Sequence, residues 1–312
     1  MQGASEQGAN EQVSKGQVGK EADFTRTLAE LQTCRLADLQ FSQHSLQDYA
    51  DCPRRFQLRY LLGVTWPAVK VEPIAEMEWR VRLGQRFHRM AHQHALGIPA
   101  GRLEAGLDDE DLHRWWHNFL TAPPRDLPTG IRRAEVSLSA PLVGHRLIAR
   151  YDLLAADPGE RLIIVDWKTR PRPRNTKRLL NKLQTVVYPY VLVEAGAVFN
   201  GGRSIQPEQV TMVYWFADSP DDPLTLAYDA ARHAANHERL VTLIREIAAR
   251  DDENVQVWPL TDDVDRTCKF CAYRSLCERG SIAGDLDDLE EDWEFEEILD
   301  IDLEQIAEIA FR

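Results

Sequence analysis

The stretch IIVDWKT, residues 163–169, is a short apolar run that ends in Asp-x-Lys. Its length and its aliphatic residues indicate a buried β-strand. Because side chains two residues apart in a strand point to the same face, Asp166 and Lys168 are expected to project together at the end of the strand. A carboxylate beside an ammonium suits a site for a divalent cation and a phosphate, although an isolated Asp-x-Lys also occurs at the ends of surface strands.

A second carboxylate is expected beside Asp166. Further strands are predicted over residues 134–142, 147–155 and 209–217, and helices over residues 76–96, 179–193 and 227–250. The tetrad DPGE at 157–160 has the composition of a turn, so Asp152 and Asp166 fall on consecutive strands that meet at one end of a sheet. Two converging carboxylates form a hard-oxygen site suited to Mg²⁺ or Mn²⁺. The predicted fold is α/β, with a small mixed sheet flanked by helices.

Four other side chains are candidates for the same site. His88 lies on a predicted helix, and an imidazole can supply another metal ligand. Gln184 and Tyr188 lie one turn apart on another helix, where both can reach a phosphate or a base. Each also has an ordinary interpretation, since helices carry such residues in their packing and on their surfaces. Glu135 is a further carboxylate at the start of the first long strand, a position that also fits a surface residue.

Four of the five cysteines occur in a pattern typical of metal ligands. Cys268, Cys271 and Cys277 form C-x2-C-x5-C, and Cys52 lies more than two hundred residues earlier. The N-terminus shows no basic region followed by an apolar one, which predicts a cytoplasmic protein with reduced cysteines. Four thiolates suit Zn²⁺ as well as [4Fe–4S], and the spacing leaves both open. Either group would join the two ends of the chain, whereas Cys34 lies outside the pattern.

The net charge of −13 is concentrated at the C-terminus. Residues 284–312 contain 13 acidic residues and one Arg, so the other 283 residues carry a net charge of −1. Residues 167–182 contain seven basic residues and no acidic one, a local stripe that a phosphate backbone would feel. The candidate DNA-binding residues of this stripe are Arg170, Arg172, Arg174, Lys177, Arg178 and Lys182; a solvated loop and helix face is the alternative.

Taken together, these residues resemble the RecB-like branch of the PD-(D/E)xK nuclease superfamily. The resemblance extends over residues 41–280 and is greatest to the iron–sulfur members, the AddB nuclease domain and the CRISPR-associated adaptation nuclease. Residues 42–56, with Ser, Ser-Leu, Tyr, Cys-Pro and Phe at matching spacing, look like the opening signature of that branch. Residues 149–152, Ala-Arg-Tyr-Asp, stand where the family usually has Gly-Arg-x-Asp. Ala149 departs from that pattern.

The resemblance implies a restriction-endonuclease-like fold and a metal-dependent DNA nuclease. It implies metal ligation by His88, Asp152 and Asp166, catalysis by Lys168, and a last nuclease motif at Gln184 and Tyr188. It also favours a [4Fe–4S] cluster on Cys52, Cys268, Cys271 and Cys277. The expected organisation is a disordered tail over 1–22, the nuclease domain over 23–283 and an acidic tail over 284–312.

The predicted function is hydrolysis of DNA in repair or recombination, most simply as an exonuclease on single-stranded DNA or DNA ends. One alternative is a non-catalytic DNA-binding iron–sulfur subunit of a helicase or integrase complex; the intact Asp152, Asp166 and Lys168 disfavour it. Another is a CRISPR adaptation nuclease. The chain has no Walker A sequence, so any helicase motor would be a partner protein. The apolar runs are too short to span a membrane, and no membrane partner is expected.

Overall fold

The computed structural model of the protein describes residues 34–64, 72–252 and 257–280. The predicted disordered tail, 1–22, and the predicted acidic tail, 284–312, lie outside the described residues. Among the described helices, none combines the length and the apolar character needed to cross a membrane.

A six-stranded mixed sheet organises the described part of the chain. Its strands are β1 (Gln40–Phe41), β2 (Ile131–Leu142), β3 (His145–Asp157), β4 (Arg161–Lys168), β5 (Val210–Phe216) and β6 (Leu224–Ala227). β2 runs antiparallel to β3 and pairs with it along nearly its whole length. The other edge of β3 is shared by β1, which is parallel to it, and β4, which is antiparallel to it. β5 lies parallel to β4, and β6 lies antiparallel to β5. The structure confirms the predicted mixed α/β fold.

Helices flank this sheet. They are α1 (Gln43–Asp51), α2 (Pro53–Phe56), α3 (Glu72–Ala95), α4 (Ala100–Glu104), α5 (Glu110–Thr121), α6 (Lys177–Asn181), α7 (Leu183–Ala195) and α8 (Ala230–Asp252). α1 begins at a capping box in which Ser42 and Ser45 each accept the other's backbone N–H on a side-chain oxygen. Pro53 opens α2, as the fixed φ of proline favours.

The single helix predicted over 179–193 is divided in two. Lys182 is extended, with φ −62° and ψ 146°, and it separates α6 from α7. The Leu183 N–H donates to the side-chain oxygen of Gln47 on α1 at 3.1 Å. The division sets Gln184 in the first turn of α7.

Side chains of β4 alternate between two hydrophobic cores. Leu162 and Ile164 pack with residues of α1, α7 and α8, whereas Ile163 and Val165 pack with residues of α3 and α5. Trp167 continues the second set. The period of two in a strand therefore turns Asp166 and the following Lys168 toward the first face, where α7 lies.

The N-terminal helices and the C-terminal coil pack on each other around Trp258. Its ring stacks on Phe56 with centroids 5.6 Å apart and meets Tyr49 edge-on at 6.0 Å. Its backbone N–H donates to Gln57 Oε1 at 2.9 Å, and its carbonyl accepts from Arg54 Nε at 2.9 Å. These contacts join the two ends of the domain without any contribution from a thiolate ligand.

We expect Trp258→Ala to lower the free energy of unfolding by about 3–5 kcal/mol, because the side chain is only 2% exposed and its removal leaves a cavity. Trp79→Ala is the matched control, because Trp79 is 45% exposed and its loss should change stability by less than about 0.5 kcal/mol. Urea denaturation followed by circular dichroism measures both. Equal destabilisation by the two variants would contradict the role given to Trp258.

Candidate active site

Polar side chains occupy one row across the sheet. The β3–β4 ladder ends at the pair of Leu153 with Val165, and Asp152 and Asp166 are the next residues of the two strands beyond it, as the sequence predicts for consecutive strands joined by a tight turn. The β2–β3 ladder pairs Ala134 with Leu153 and Val136 with Tyr151, so Glu135 and Asp152 lie opposite each other between those two pairs without being a ladder pair themselves. On the other side, Asp166 pairs with Tyr214 of β5. The row thus brings three carboxyl-bearing residues onto neighbouring strands.

Asp166, Lys168 and Gln184 form a closed, buried network. Lys168 Nζ lies 2.9 Å from Asp166 Oδ2 and donates to Gln184 Oε1 at 3.0 Å. Gln184 Nε2 donates to Asp166 Oδ1 at 2.7 Å. The three side chains are almost wholly buried, where charge-assisted hydrogen bonds are strong and hold their members in one orientation. The expected convergence of Gln184 on the Asp-x-Lys pair is therefore present in the geometry.

A second group forms around Asp152. His88 Nδ1 lies 3.2 Å from Asp152 Oδ1, which brings α3 to the row of carboxylates. His88, Glu135 and Asp152 each offer a ligand atom, and the three atoms lie within 4.8 Å of one another. This is the one set of that kind among the residues that the structure describes. One imidazole nitrogen with two carboxylates is a donor set suited to a divalent cation.

The backbone of Trp167 connects the two groups. Its N–H donates to Asp152 Oδ2 at 2.8 Å, and Trp167 itself lies between Asp166 and Lys168 in the chain. Burial acts to raise the pKa of Asp152, but His88, the Trp167 N–H and the Lys168 ammonium outweigh burial and hold that pKa below its ordinary value. Asp152 is therefore a carboxylate at neutral pH, available to a cation.

An aromatic cluster on the second face of the sheet fixes the position of α3. Phe87, directly before His88, stacks on Trp215 with an interplanar angle of 7° and centroids 6.2 Å apart. Phe87 also meets Phe119 of α5 edge-on at 5.9 Å. Trp167 packs edge-on against Trp215 at 5.4 Å. The strand that carries Asp166 and Lys168 and the helix that carries His88 thus share one rigid contact.

Tyr188 is part of the core on the α7 side. Its ring meets that of Tyr151 at 5.3 Å, and its carbonyl accepts from the Tyr151 hydroxyl at 3.0 Å. These contacts tie α7 to β3 immediately before Asp152. Tyr188 therefore packs in the core of the structure. A contact between Tyr188 and a substrate stays a prediction.

The basic stripe differs from its sequence-based description at its start. Arg170 is only 9% exposed, and Arg172 pairs with Asp222, so neither side chain is a simple solvated cation. Arg174 and Lys177 are exposed, and Arg178 and Lys182 are partly exposed. The surface that a polyanion can reach is therefore the second part of the stripe, on the loop before α6 and on α6 itself.

The four cysteines of the predicted cluster share one environment. Burial and the neighbouring sulfurs of Cys271 and Cys52 raise the pKa of Cys268. Burial, with contributions from the other three sulfurs, raises the pKa of Cys277 to about 12. No three of these four sulfurs all lie within 4.8 Å of one another, because the His88 set is the one such group among the described residues. The four sulfurs do not form a ligand set in this structure, so the structure does not support the predicted iron–sulfur cluster.

The sequence did not show the importance of two residues at the site, Glu135 and Arg150. Glu135 was a minor candidate, yet it stands beside His88 and Asp152. Arg150 was noted only as part of a motif, yet its Nε donates to Glu135 Oε2 at 2.7 Å. The signal available was the antiparallel register: strands joined by a tight turn after Leu142 place Glu135 across from Asp152.

Comparisons with known proteins gave a family match and structural matches. The sequence profile of the PD-(D/E)XK nuclease superfamily matches residues 40–278. A crystal structure from Eubacterium rectale, of a protein provisionally named an exonuclease, is 12% identical, with a TM-score of 0.47 over 79% of this chain and 90% of that one. The crystal structure of SSO0001 is 14% identical, with a TM-score of 0.31 over 69% of this chain and 90% of that one. No curated protein sequence matches.

The profile match covers most of the chain and includes every residue of the two groups described above. Proteins of that superfamily are hydrolytic nucleases that use divalent metal ions. The chain belongs to the PD-(D/E)XK nuclease superfamily.

Proposed function

We propose that the protein is a Mg²⁺- or Mn²⁺-dependent deoxyribonuclease, which acts on single-stranded DNA or DNA ends in repair or recombination. The observation that carries the proposal is the buried network of Asp166, Lys168 and Gln184 beside Asp152. Burying an ammonium and two carboxylates is costly unless they are paired, and such groups are retained where chemistry needs them. The same proposal includes a cytoplasmic location, DNA as the substrate and a helicase as a partner protein.

His88, Asp152 and Asp166 are the residues that would hold the cation. Their donors are one imidazole nitrogen and carboxylate oxygens, which fit a hard divalent ion. When bound, such an ion lowers the pKa of a coordinated water and offsets charge on a phosphoryl oxygen. The lowered pKa of Asp152 supports this assignment, because an ionised carboxylate is needed for ligation.

Lys168 is the catalytic residue in this proposal. Its ammonium, fixed by Asp166 and Gln184, can orient the attacking water or offset the charge that develops on the scissile phosphate. Gln184 acts as a positioning residue, since its amide accepts from Lys168 and donates to Asp166. Tyr188 would support it by packing the next turn of α7 against β3.

We expect Asp166→Ala and Lys168→Ala each to lower the rate of DNA cleavage about a hundredfold or more, because each removes a group that acts in the transition state. The exposed ion pair of Arg125 and Asp221 provides matched controls, Asp221→Ala and Arg125→Ala, which should cleave as the wild type does. End-labelled single- and double-stranded DNA with Mg²⁺ or Mn²⁺ reports the rates. Normal cleavage by Asp166→Ala or Lys168→Ala would refute the assignment.

The accessible part of the basic stripe is proposed as the DNA track. It begins a few residues after Lys168, so a backbone that follows Arg174, Lys177, Arg178 and Lys182 would lead toward the carboxylates. Arg170 and Arg172 would contribute to the field, with Arg172 first having to leave Asp222. Contacts of this kind bind the phosphate backbone whatever its sequence.

We expect the double variant Arg174→Ala with Lys177→Ala to weaken DNA binding at low salt and to reduce the slope of log affinity against log salt by about two. The control replaces two exposed arginines outside the stripe, Arg102 and Arg125, with Ala and removes the same charge. Fluorescence anisotropy over a salt series measures both. An identical effect of the two double variants would show that only net charge matters, and the track would be wrong.

We extend the proposal to the cysteines: Cys52, Cys268, Cys271 and Cys277 would hold a [4Fe–4S] cluster that adds to the contacts around Trp258. Neighbouring sulfurs, that of Cys52 among them, contribute to the raised pKa values of Cys268, Cys271 and Cys277, so the four thiols lie in one neighbourhood. The role of the cluster would be structural.

Anaerobically purified protein is expected to be brown, with broad visible absorption and about four irons per chain. Cys52→Ala should lose both the colour and part of the stability, because Cys52 alone ties the N-terminal helices to the cluster. Cys34→Ala, the matched control, should keep both. Stoichiometric zinc without iron would overturn the cluster.

A further inference from the structure

Glu135 has a backbone conformation that is unusual for its place in the fold. Its φ is +53° although it lies within β2, with ladder pairs on either side of it. The other described residues that combine a positive φ with a side chain lie outside strands: Asp126, Val143 and Glu278. A side chain disfavours this conformation, because its Cβ crowds the following carbonyl. Glycine would be the favoured residue at position 135 on backbone grounds alone.

The carboxylate of Glu135 lies close to the candidate metal ligands and also accepts a hydrogen bond from an arginine. It lies across the ladder from Asp152 and offers an oxygen within 4.8 Å of the ligand atoms of His88 and Asp152. Arg150, two residues before Asp152 on β3, donates from Nε to Glu135 Oε2 at 2.7 Å. The Glu135 side chain is 15% exposed and that of Arg150 is 38% exposed.

We propose that Glu135 is a further protein ligand of the catalytic cation, beside His88, Asp152 and Asp166, and that Arg150 is the positioning residue that orients its carboxylate. The inference rests on the proposed function, because it presupposes a divalent cation at this site. A carboxylate has about four lone-pair positions, so Glu135 can accept from Arg150 and ligate a cation at once.

A purely structural ion pair accounts less well for the same observations. Partly exposed ion pairs contribute little to stability, so the pair offers no clear compensation for the left-handed backbone. Strained conformations of this kind persist where they place a functional group. Here the conformation occurs at the one residue of β2 that faces Asp152, which links it to the cation site rather than to the sheet.

The test measures Mn²⁺ binding to the DNA-free protein by electron paramagnetic resonance, with Mn²⁺ alone as the probe. We expect Glu135→Gln to weaken binding about a hundredfold and Arg150→Ala about tenfold, as for outer groups that orient metal ligands. Arg150→Lys should recover part of the Arg150→Ala loss. The matched control is Arg146→Ala, because Arg146 also reaches from β3 to β2, where it contacts Ser139, and this variant should bind Mn²⁺ normally.

A second comparison tests the conformation without a metal. Glu135→Gly should melt at a higher temperature than Glu135→Ala in metal-free buffer, the reverse of the usual order in a strand, because only glycine adopts φ +53° without strain. Both variants should bind Mn²⁺ as weakly as Glu135→Gln. A higher melting temperature for Glu135→Ala would overturn the strained conformation and with it the inference.

The remaining outcomes separate this inference from the function on which it rests. Wild-type protein that binds Mn²⁺ and cleaves DNA, with Glu135→Gln binding Mn²⁺ equally well, would overturn the ligand role of Glu135 alone. Weak binding by Arg146→Ala as well would reduce the effect to a general disturbance of the β2–β3 pair and would also overturn it. Wild-type protein that neither binds Mn²⁺ nor cleaves DNA would refute the proposed function itself.

Discussion

The antiparallel pairing of β3 with β4 is the constraint on which the rest of the site depends. The turn at 157–160 sets its register, with Gly159 at φ +90° and the Glu160 N–H donating to the Asp157 carbonyl at 3.0 Å. That register puts Asp152 and Asp166 one position beyond the pair of Leu153 with Val165 and lets Asp152 accept the Trp167 N–H. A slip of β4 by one residue would send Asp166 to the face of the sheet opposite Asp152 and separate the pair.

Both faces of the sheet contribute to the site. The face that packs against α1, α7 and α8 supplies Gln184, which joins Asp166 to Lys168. The face that packs against α3 and α5 holds Phe87 on Trp215 and thereby brings His88 to Asp152. Because each helix is anchored in its own hydrophobic core, the polar groups are held by elements whose positions do not depend on the polar groups themselves.

The sequence was sufficient for the parts of the fold that follow from local patterns. Apolar runs and the DPGE turn predicted β2 to β5, and helical patterns predicted the regions of α3 and α8. Three features depend on tertiary contacts and were out of reach. The division at Lys182 reflects the bond between Leu183 and Gln47, and the burial of Arg170 reflects packing around its loop. The conformation of Glu135 opposes its own preference, as is common at functional sites.

The central claim is that Asp152 and Asp166 bind one divalent cation beside Lys168. Anomalous diffraction from crystals of the full chain soaked in Mn²⁺ tests it most directly, because the signal locates the ion without reference to activity. We expect an anomalous peak within bonding distance of both carboxylates, with His88 as a further ligand. Anomalous peaks at surface acids alone, or a bound Mn²⁺ ion that neither Asp152 nor Asp166 coordinates, would contradict it.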